Sequence, residues 1–161
     1  MPSAADIITA VPLAYGSSPL EGVITAGQPT AGQIGQLAKA GLRTIIDLRP
    51  LSEPRGFDES AAAREAGVVY HNVPVTPATL SDTDFDRVRE LLADPAQRPV
   101  LVHCASANRV GALLMPWLEL DEKRSAAEAL AMARRIGLRS EELARSAAAY
   151  TVTHRRGEAA C

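Results

Sequence analysis

Apolar residues fall along this chain in short dense runs, and turn signals separate runs of strand length from runs of helix length. Val23, Ile24 and Thr25 form a brief first strand. Thr30 and Gln33 make a capping-box pair for a helix over residues 31–40, which Gly41 ends. Gly32 and Gly35 weaken that helix, so it must lean on tertiary contacts. Residues 42–48 are apolar and β-branched and read as a buried strand; Pro50 then forces a turn. Asp58 caps a short helix to Ala66, with Gly67 as its stop, and residues 68–73 form a third strand. Ser81 and Asp84 give a second capping box and a helix to about Ala93. Val100, Leu101 and Val102 run straight into His103 and Cys104 as the central strand. From Arg109 onward Leu113, Leu114, Trp117 and Leu118 suit a packed helix, which Pro116 should kink. Ser125 and Glu128 make a third capping box, with Gly137 as the stop. Ser140 starts a last helix to about Val152.

Strands alternating with helices, and strands apolar on both faces, predict an α/β fold: a small parallel-type sheet flanked by helices. Residues 1–161 read as one domain. About 1–20 form a lead-in with one short helix near residues 5–9, and about 154–161 form a polar, frayed tail. Ligands of such sheets sit beyond the carboxyl ends of the strands. Cys104, Arg49 and the loop after Val73 all fall at that end, so they can share one site.

Composition narrows the function classes. The chain has 161 residues, 47% hydrophobic and 22% charged, as in globular domains with a real core, and only 4% aromatic. The formal net charge of −2, with no basic face, argues against nucleic acid as a partner. No apolar run approaches the roughly 18 residues a membrane span needs. No basic region followed by an apolar core opens the chain, so neither a signal peptide nor a membrane partner is expected. Two cysteines, Cys104 and Cys161, make no disulfide scaffold, and a reducing cytoplasm fits them. His71, His103 and His154 lack metal-ligand spacing with the cysteines, so neither metal nor other cofactor is expected.

The chemistry concentrates in residues 103–110. A buried strand that stops on a cysteine, then a short loop, then a helix start is a place to hold an anion. Loop amides and the helix dipole point at the bound group, and the same field stabilises a thiolate on Cys104. Arg109 adds a planar fork of donors suited to oxyanions. Ala105, Ser106, Ala107, Asn108 and Val110 complete the anion-binding loop. Asn108 is expected to supply a positive φ there, and Ser106 donates either to the ligand or to the loop backbone. The alternative for Cys104 is a buried, inert structural thiol; for Arg109 it is a surface ion pair. His103 points to the opposite face of the strand from Cys104, so it orients the loop by hydrogen bonding rather than exchanging a proton with the thiol. Arg49 adds a second positive charge or pairs with Glu53 or Asp47.

The stretch from His103 to Val110 resembles the active loop of the cysteine-dependent phosphatases, His-Cys, five residues, then Arg and Ser or Thr. Here four residues separate Cys104 from Arg109, Val110 replaces the hydroxyl, and the loop holds no glycine. It resembles more closely the bacterial protein tyrosine phosphatase-like family with a Cys-x4-Arg loop. That family is the phosphatase-like domain of β-lactamase hydrolase-like proteins, also found fused to persulfide dioxygenases. Ile24-Thr25-Ala26-Gly27-Gln28-Pro29-Thr30 is similar to its Gly-Gln-Pro segment. Ile45-Ile46-Asp47-Leu48-Arg49-Pro50 with Glu53 is similar to its second strand and turn. The resemblance covers about residues 20–120 and implies a dual-specificity phosphatase-like fold.

Three readings follow. In the first, the Cys104 thiolate attacks a small phosphorylated substrate while Arg109 and the loop amides hold its oxygens. Such a reaction uses a general acid. In the phosphatases this is an Asp some thirty residues before the cysteine, but residues 74–80 carry no carboxylate. Asp82 and Asp84 come later, and each is equally explained by the helix dipole and capping. In the second reading Cys104 carries sulfane sulfur, as in rhodanese-type sulfurtransferases, whose six-residue loop matches Cys104 to Arg109 and whose chemistry needs no acid. In the third the domain binds anions without turnover. Cys161 is either a resolving thiol or idle.

Overall fold

The computed structural model describes the backbone of residues 2–160 and the side chains of residues 2–155. Cys161 therefore lies outside the described residues. The elements follow in the order α1 (Ala4–Ala10), β1 (Ser17–Leu20), β2 (Val23–Ala26), α2 (Ala31–Lys39), β3 (Thr44–Asp47), α3 (Glu59–Ala66), β4 (Val69–Asn72), α4 (Asp82–Ala93), β5 (Val100–His103), α5 (Asn108–Leu120), α6 (Ala126–Ile136) and α7 (Glu141–Ala160).

The five strands form one sheet in the order β1-β2-β5-β3-β4. β2, β5, β3 and β4 run parallel, while β1 pairs antiparallel with β2. The sheet is thus mixed, with one antiparallel edge in the segment read from sequence as a lead-in. Register places Ala26, His103, Asp47 and Asn72 side by side at the carboxyl end. Because strand side chains alternate between faces, each inner strand feeds two cores. Val100, Val102, Ile46 and Val23 face α4 to α7. Leu101, Ile45 and Ile24 face α1 to α3.

α5 is the axis of the first core, buried without a break from Val110 to Leu120. A helix apolar on every side must be enclosed by others, and α4, α6 and α7 all pack against it. It continues as one helix through Pro116. α6 comes close because residue 111 is glycine: a Cβ there would lie 2.6 Å from the Ala133 carbonyl oxygen and 2.9 Å from the Leu138 nitrogen.

Capping largely follows the side-chain pattern. Thr30 and Gln33 exchange hydrogen bonds, the Asp84 carboxylate accepts from the Ser81 amide at 2.9 Å, and Gly67 ends α3 at φ 79°. Ser125 accepts from the Glu128 amide at 3.1 Å, but no bond returns from the Glu128 carboxylate among the described residues. α7 continues through residue 154, where a frayed tail was expected. No described helix is long and apolar enough to cross a membrane.

Candidate active site

β5 delivers His103 and Cys104 to the centre of the carboxyl edge, on opposite faces of the sheet. Cys104 is 1% exposed and packs with the α5 core. His103 is fully buried among polar groups on the other side. Its Nε2 lies 2.5 Å from Glu59 Oε2, and its Nδ1 lies 3.2 Å from the Cys104 carbonyl oxygen. His103 thus touches the loop backbone on one side and Glu59, a partner without a local signal in the sequence, on the other.

Glu59 belongs to a buried polar cluster under the loop. Arg55 Nη1 donates to both Asp47 and Glu59, Tyr70 donates to Asp47 at 2.5 Å, and Gln28 Nε2 donates to Glu59 at 2.6 Å. Burial by itself raises the Glu59 carboxyl. Hydrogen bonds and charge from His103, then Gln28 and Arg55, outweigh it and hold Glu59 below the usual carboxylate range. Asp47, Glu59 and His103 offer a donor set compact enough for a cation, but the Arg55 guanidinium already bonds both carboxylates.

The loop itself is held by its carbonyls. The Cys104 carbonyl faces His103, and the Ala105 carbonyl accepts from the Gln28 amide at 3.2 Å. In a trans peptide the N–H points opposite to the C=O. The amides of Ala105 and Ser106 consequently turn away from those partners, and neither donates to another described group. Gly27 permits this approach, since a Cβ there would lie 2.7 Å from the Ala105 carbonyl oxygen. The Gly-Gln-Pro segment is thus the floor of the loop: Gly27 gives it room and Gln28 holds it.

α5 begins at Asn108, and the positive φ expected there falls instead on Ala107, at 64°. Asn108 turns outward, and its Oδ1 accepts from the amides of Arg139 and Ser140 at 2.7 and 3.2 Å. Gly137 lies against Ala107: a Cβ at 137 would sit 2.8 Å from the Ala107 Cβ. Ser106 accepts at Oγ from Arg139 Nη2 at 2.8 Å. Val110 is buried in the α5 core.

Arg109 reaches back over the loop. Its Nη1 and Nη2 clasp Glu53 at 2.7 and 3.0 Å, and Nη1 also donates to the Val75 carbonyl at 3.0 Å. The loop after Val73 thereby contacts Arg109. Glu53 keeps the guanidinium charged, with the Cys104 sulfur acting in the same direction by charge and by a hydrogen bond. Arg49 takes the structural role: it donates to Glu53 at 3.1 Å and to Gln28 Oε1 at 2.9 Å. Hydrogen bonds from Arg109 first, and then Arg49, hold the Glu53 carboxyl below its usual range against its desolvation.

The candidate acids stand elsewhere. Asp82 lines a hollow between α4 and α7 with Phe85 and Tyr150, and Asp84 is occupied in capping α4. Glu53, Arg55, Glu59 and Arg139 complete the site and were not singled out as its members. Only Glu53 had a local signal, its place in the turn after β3. Glu59 and Arg139 are joined to the loop across 44 and 31 residues of chain, and Arg55 reaches it only through Asp47 and Glu59.

A family model described as DSP-PTPase phosphatase fused to NAD+ kinase matches residues 19–151. A β-lactamase hydrolase-like protein of Xylella fastidiosa is 37% identical over 93 residues, covering 55% of this chain and 21% of that protein. The chain thus spans about a fifth of that curated relative. Among solved structures, a DUF442 protein of Shewanella putrefaciens superposes with a TM-score of 0.76 at 19% identity, covering 91% of this chain and 97% of that one. Tk-PTP in its active form gives 0.75 at 17% identity, covering 85% and 96%.

Proposed function

Since the chain belongs to the family described as DSP-PTPase phosphatase fused to NAD+ kinase, we propose that it is a cysteine-dependent phosphatase-like hydrolase acting on a small phosphorylated substrate. The observation that carries this reading is the convergence on one loop of Cys104, two amides without a partner among the described residues, and the Arg109 guanidinium, which interacts with the Cys104 sulfur. The amides of Ala105 and Ser106, the N-terminus of α5 and Arg109 bind the phosphoryl oxygens. The Cys104 thiolate attacks phosphorus. An S–P bond forms, the P–O bond to the leaving group breaks, and the leaving oxygen takes a proton from water. A second water cleaves the S–P bond, releasing phosphate and restoring the thiolate.

His103 supports the thiolate from behind. Its two ring nitrogens face the Cys104 carbonyl oxygen and the Glu59 carboxylate, which fixes the ring beneath the loop. Glu53 positions Arg109; its lowered carboxyl is a weak proton donor at neutral pH. With Asp84 capping α4 and Asp82 lining the hollow between α4 and α7, leaving-group protonation falls to solvent, so activated aryl phosphates should react fastest.

That same lack of an acid favours a second reading, sulfur transfer. Cys104 would attack the sulfane sulfur of thiosulfate, break the S–S bond, release sulfite and hold a persulfide that cyanide removes as thiocyanate. One pair of assays separates the readings: phosphate release from an aryl phosphate, and thiocyanate formation from thiosulfate and cyanide, for wild type and Cys104→Ser. Phosphate release that the serine variant abolishes is expected. Robust thiocyanate with no phosphate release overturns the first reading, and activity that survives Cys104→Ser overturns both.

A further inference from the structure

Three arginines around the loop are neutralised by carboxylates: Arg109 and Arg49 by Glu53, and Arg55 by Asp47 and Glu59. Arg139 is different. It lies between α6 and α7, is exposed, and has no carboxylate partner among the described residues. Backbone and hydroxyl oxygens hold it instead. Nη2 donates to Ser106 Oγ at 2.8 Å, both Nη atoms donate to the Ser106 carbonyl at 3.3 Å, and Nη1 donates to the Gly137 carbonyl at 3.0 Å. Its Nε–H has no partner among the described residues.

The other face of this guanidinium covers Tyr15, with the Arg139 Cζ 5.7 Å from the ring centroid. Tyr15 is 57% exposed and sits at φ 57°, a left-handed backbone that bulky residues rarely adopt. Its ring reaches the edge of the loop, since a Cβ on Gly27 would meet Tyr15 Cδ2 at 3.1 Å and the Ala105 carbonyl oxygen at 2.7 Å. An exposed aromatic ring therefore fixes an unneutralised guanidinium against the candidate anion loop. Ser106 is two peptide units from Cys104, at most about 7.6 Å between Cα atoms. That is within reach of two charged groups on one small molecule.

We propose that Tyr15 and Arg139 form a second anion subsite beside the Cys104 loop, which selects substrates carrying a further phosphate next to the one under attack. The inference rests on the anion-binding reading of that loop. Arg139 is a specificity-determining residue, positioned by Tyr15 and Ser106, and it supplies charge and the Nε–H donor.

The test is calorimetric binding of orthophosphate and tripolyphosphate at about 0.15 M salt, where charges beyond about 8 Å are largely screened. Wild type should bind tripolyphosphate about ten- to hundred-fold more tightly than orthophosphate, the range one charge-assisted hydrogen bond provides. Arg139→Met should erase that excess, lowering tripolyphosphate affinity at least about tenfold more than orthophosphate affinity. Tyr15→Ala should erase part of it. Arg135→Met removes an equal charge from the nearby end of α6 and should leave the excess in place. Equal losses for both ligands in Arg139→Met would make the residue a brace for the loop and overturn the subsite. So would loss of the excess in Arg135→Met as well, or a wild type that does not discriminate. Absence of orthophosphate binding to wild type overturns the loop reading itself, and the subsite with it.

Discussion

Substituting Gly137 tests how tightly the body of the fold holds the loop. Gly137 ends α6 at φ 150° and ψ 4°, a conformation that costs a residue with a Cβ about 1–3 kcal/mol. The added carbon would also sit 2.8 Å from the Ala107 Cβ and 3.0 Å from the Ala107 carbonyl carbon and oxygen. Two of those three atoms are backbone, so no side chain can swing aside; forced overpacking of this kind costs about 1–3 kcal/mol more. Gly137→Ala should therefore destabilise by about 2–6 kcal/mol. Gly67→Ala is the reference, since Gly67 has φ 79° and nothing within 4 Å of a built Cβ. It should cost only the conformational part, about 1–2 kcal/mol. Urea denaturation with unchanged m-values measures both. Because the contact falls on Ala107, whose own φ is 64°, the strain is expected to reach the loop and weaken orthophosphate binding. Ala107→Gly removes the facing Cβ and relieves a left-handed alanine, so the double variant should recover about 1 kcal/mol or more. The reasoning is refuted if Gly137→Ala costs no more than Gly67→Ala, or if Ala107→Gly recovers nothing in its presence.

Other consequences can be checked with the same protein. Glu53→Gln should lower orthophosphate affinity about two- to tenfold, because Arg109 loses one charge-assisted clamp; unchanged affinity in a titration would show that Glu53 does not position it. Glu59 has a folded-state carboxyl below its ordinary value of 4.5, so the stability it adds is complete above that value and lost as pH falls through the lowered one. Urea midpoints of wild type and Glu59→Gln should accordingly differ at neutral pH and converge below pH 4.5; a gap that widens on acidification contradicts this. Asp84→Ala should cost about 1 kcal/mol of stability as a lost cap and leave kcat for an aryl phosphate unchanged. A fall of about a hundredfold or more in that kcat would instead make Asp84 the acid. Gly111→Ala should destabilise by about 1–3 kcal/mol despite alanine's better helix propensity, since its Cβ meets the Ala133 and Leu138 backbone; a gain in the denaturation midpoint would mean that α5 and α6 can separate freely.

The sequence by itself determined whatever depends on neighbours along the chain. Period and caps located the helices, as with Thr30 and Gln33 or Asp58 and Gly67, because capping bonds span three or four residues. The apolar run ending on Cys104 marked the strand-to-helix junction, and Pro50 marked the turn after the neighbouring strand. The tertiary structure decided what spans long separations. Glu59 meets His103 across 44 residues, Glu53 meets Arg109 across 56, and Arg139 meets Ser106 across 33. No local pattern encodes these pairs, because exposed and buried charges look alike in sequence until packing removes their water. The left-handed residue shows the same divide. Local chemistry favoured Asn108, but the Gln28 amide holds the Ala105 carbonyl, Arg139 holds the Ser106 carbonyl, and Gly137 leaves room for the Ala107 Cβ, so the bend falls on an alanine. Short-range energetics wrote the elements and the loop, and long-range packing chose which charges surround it.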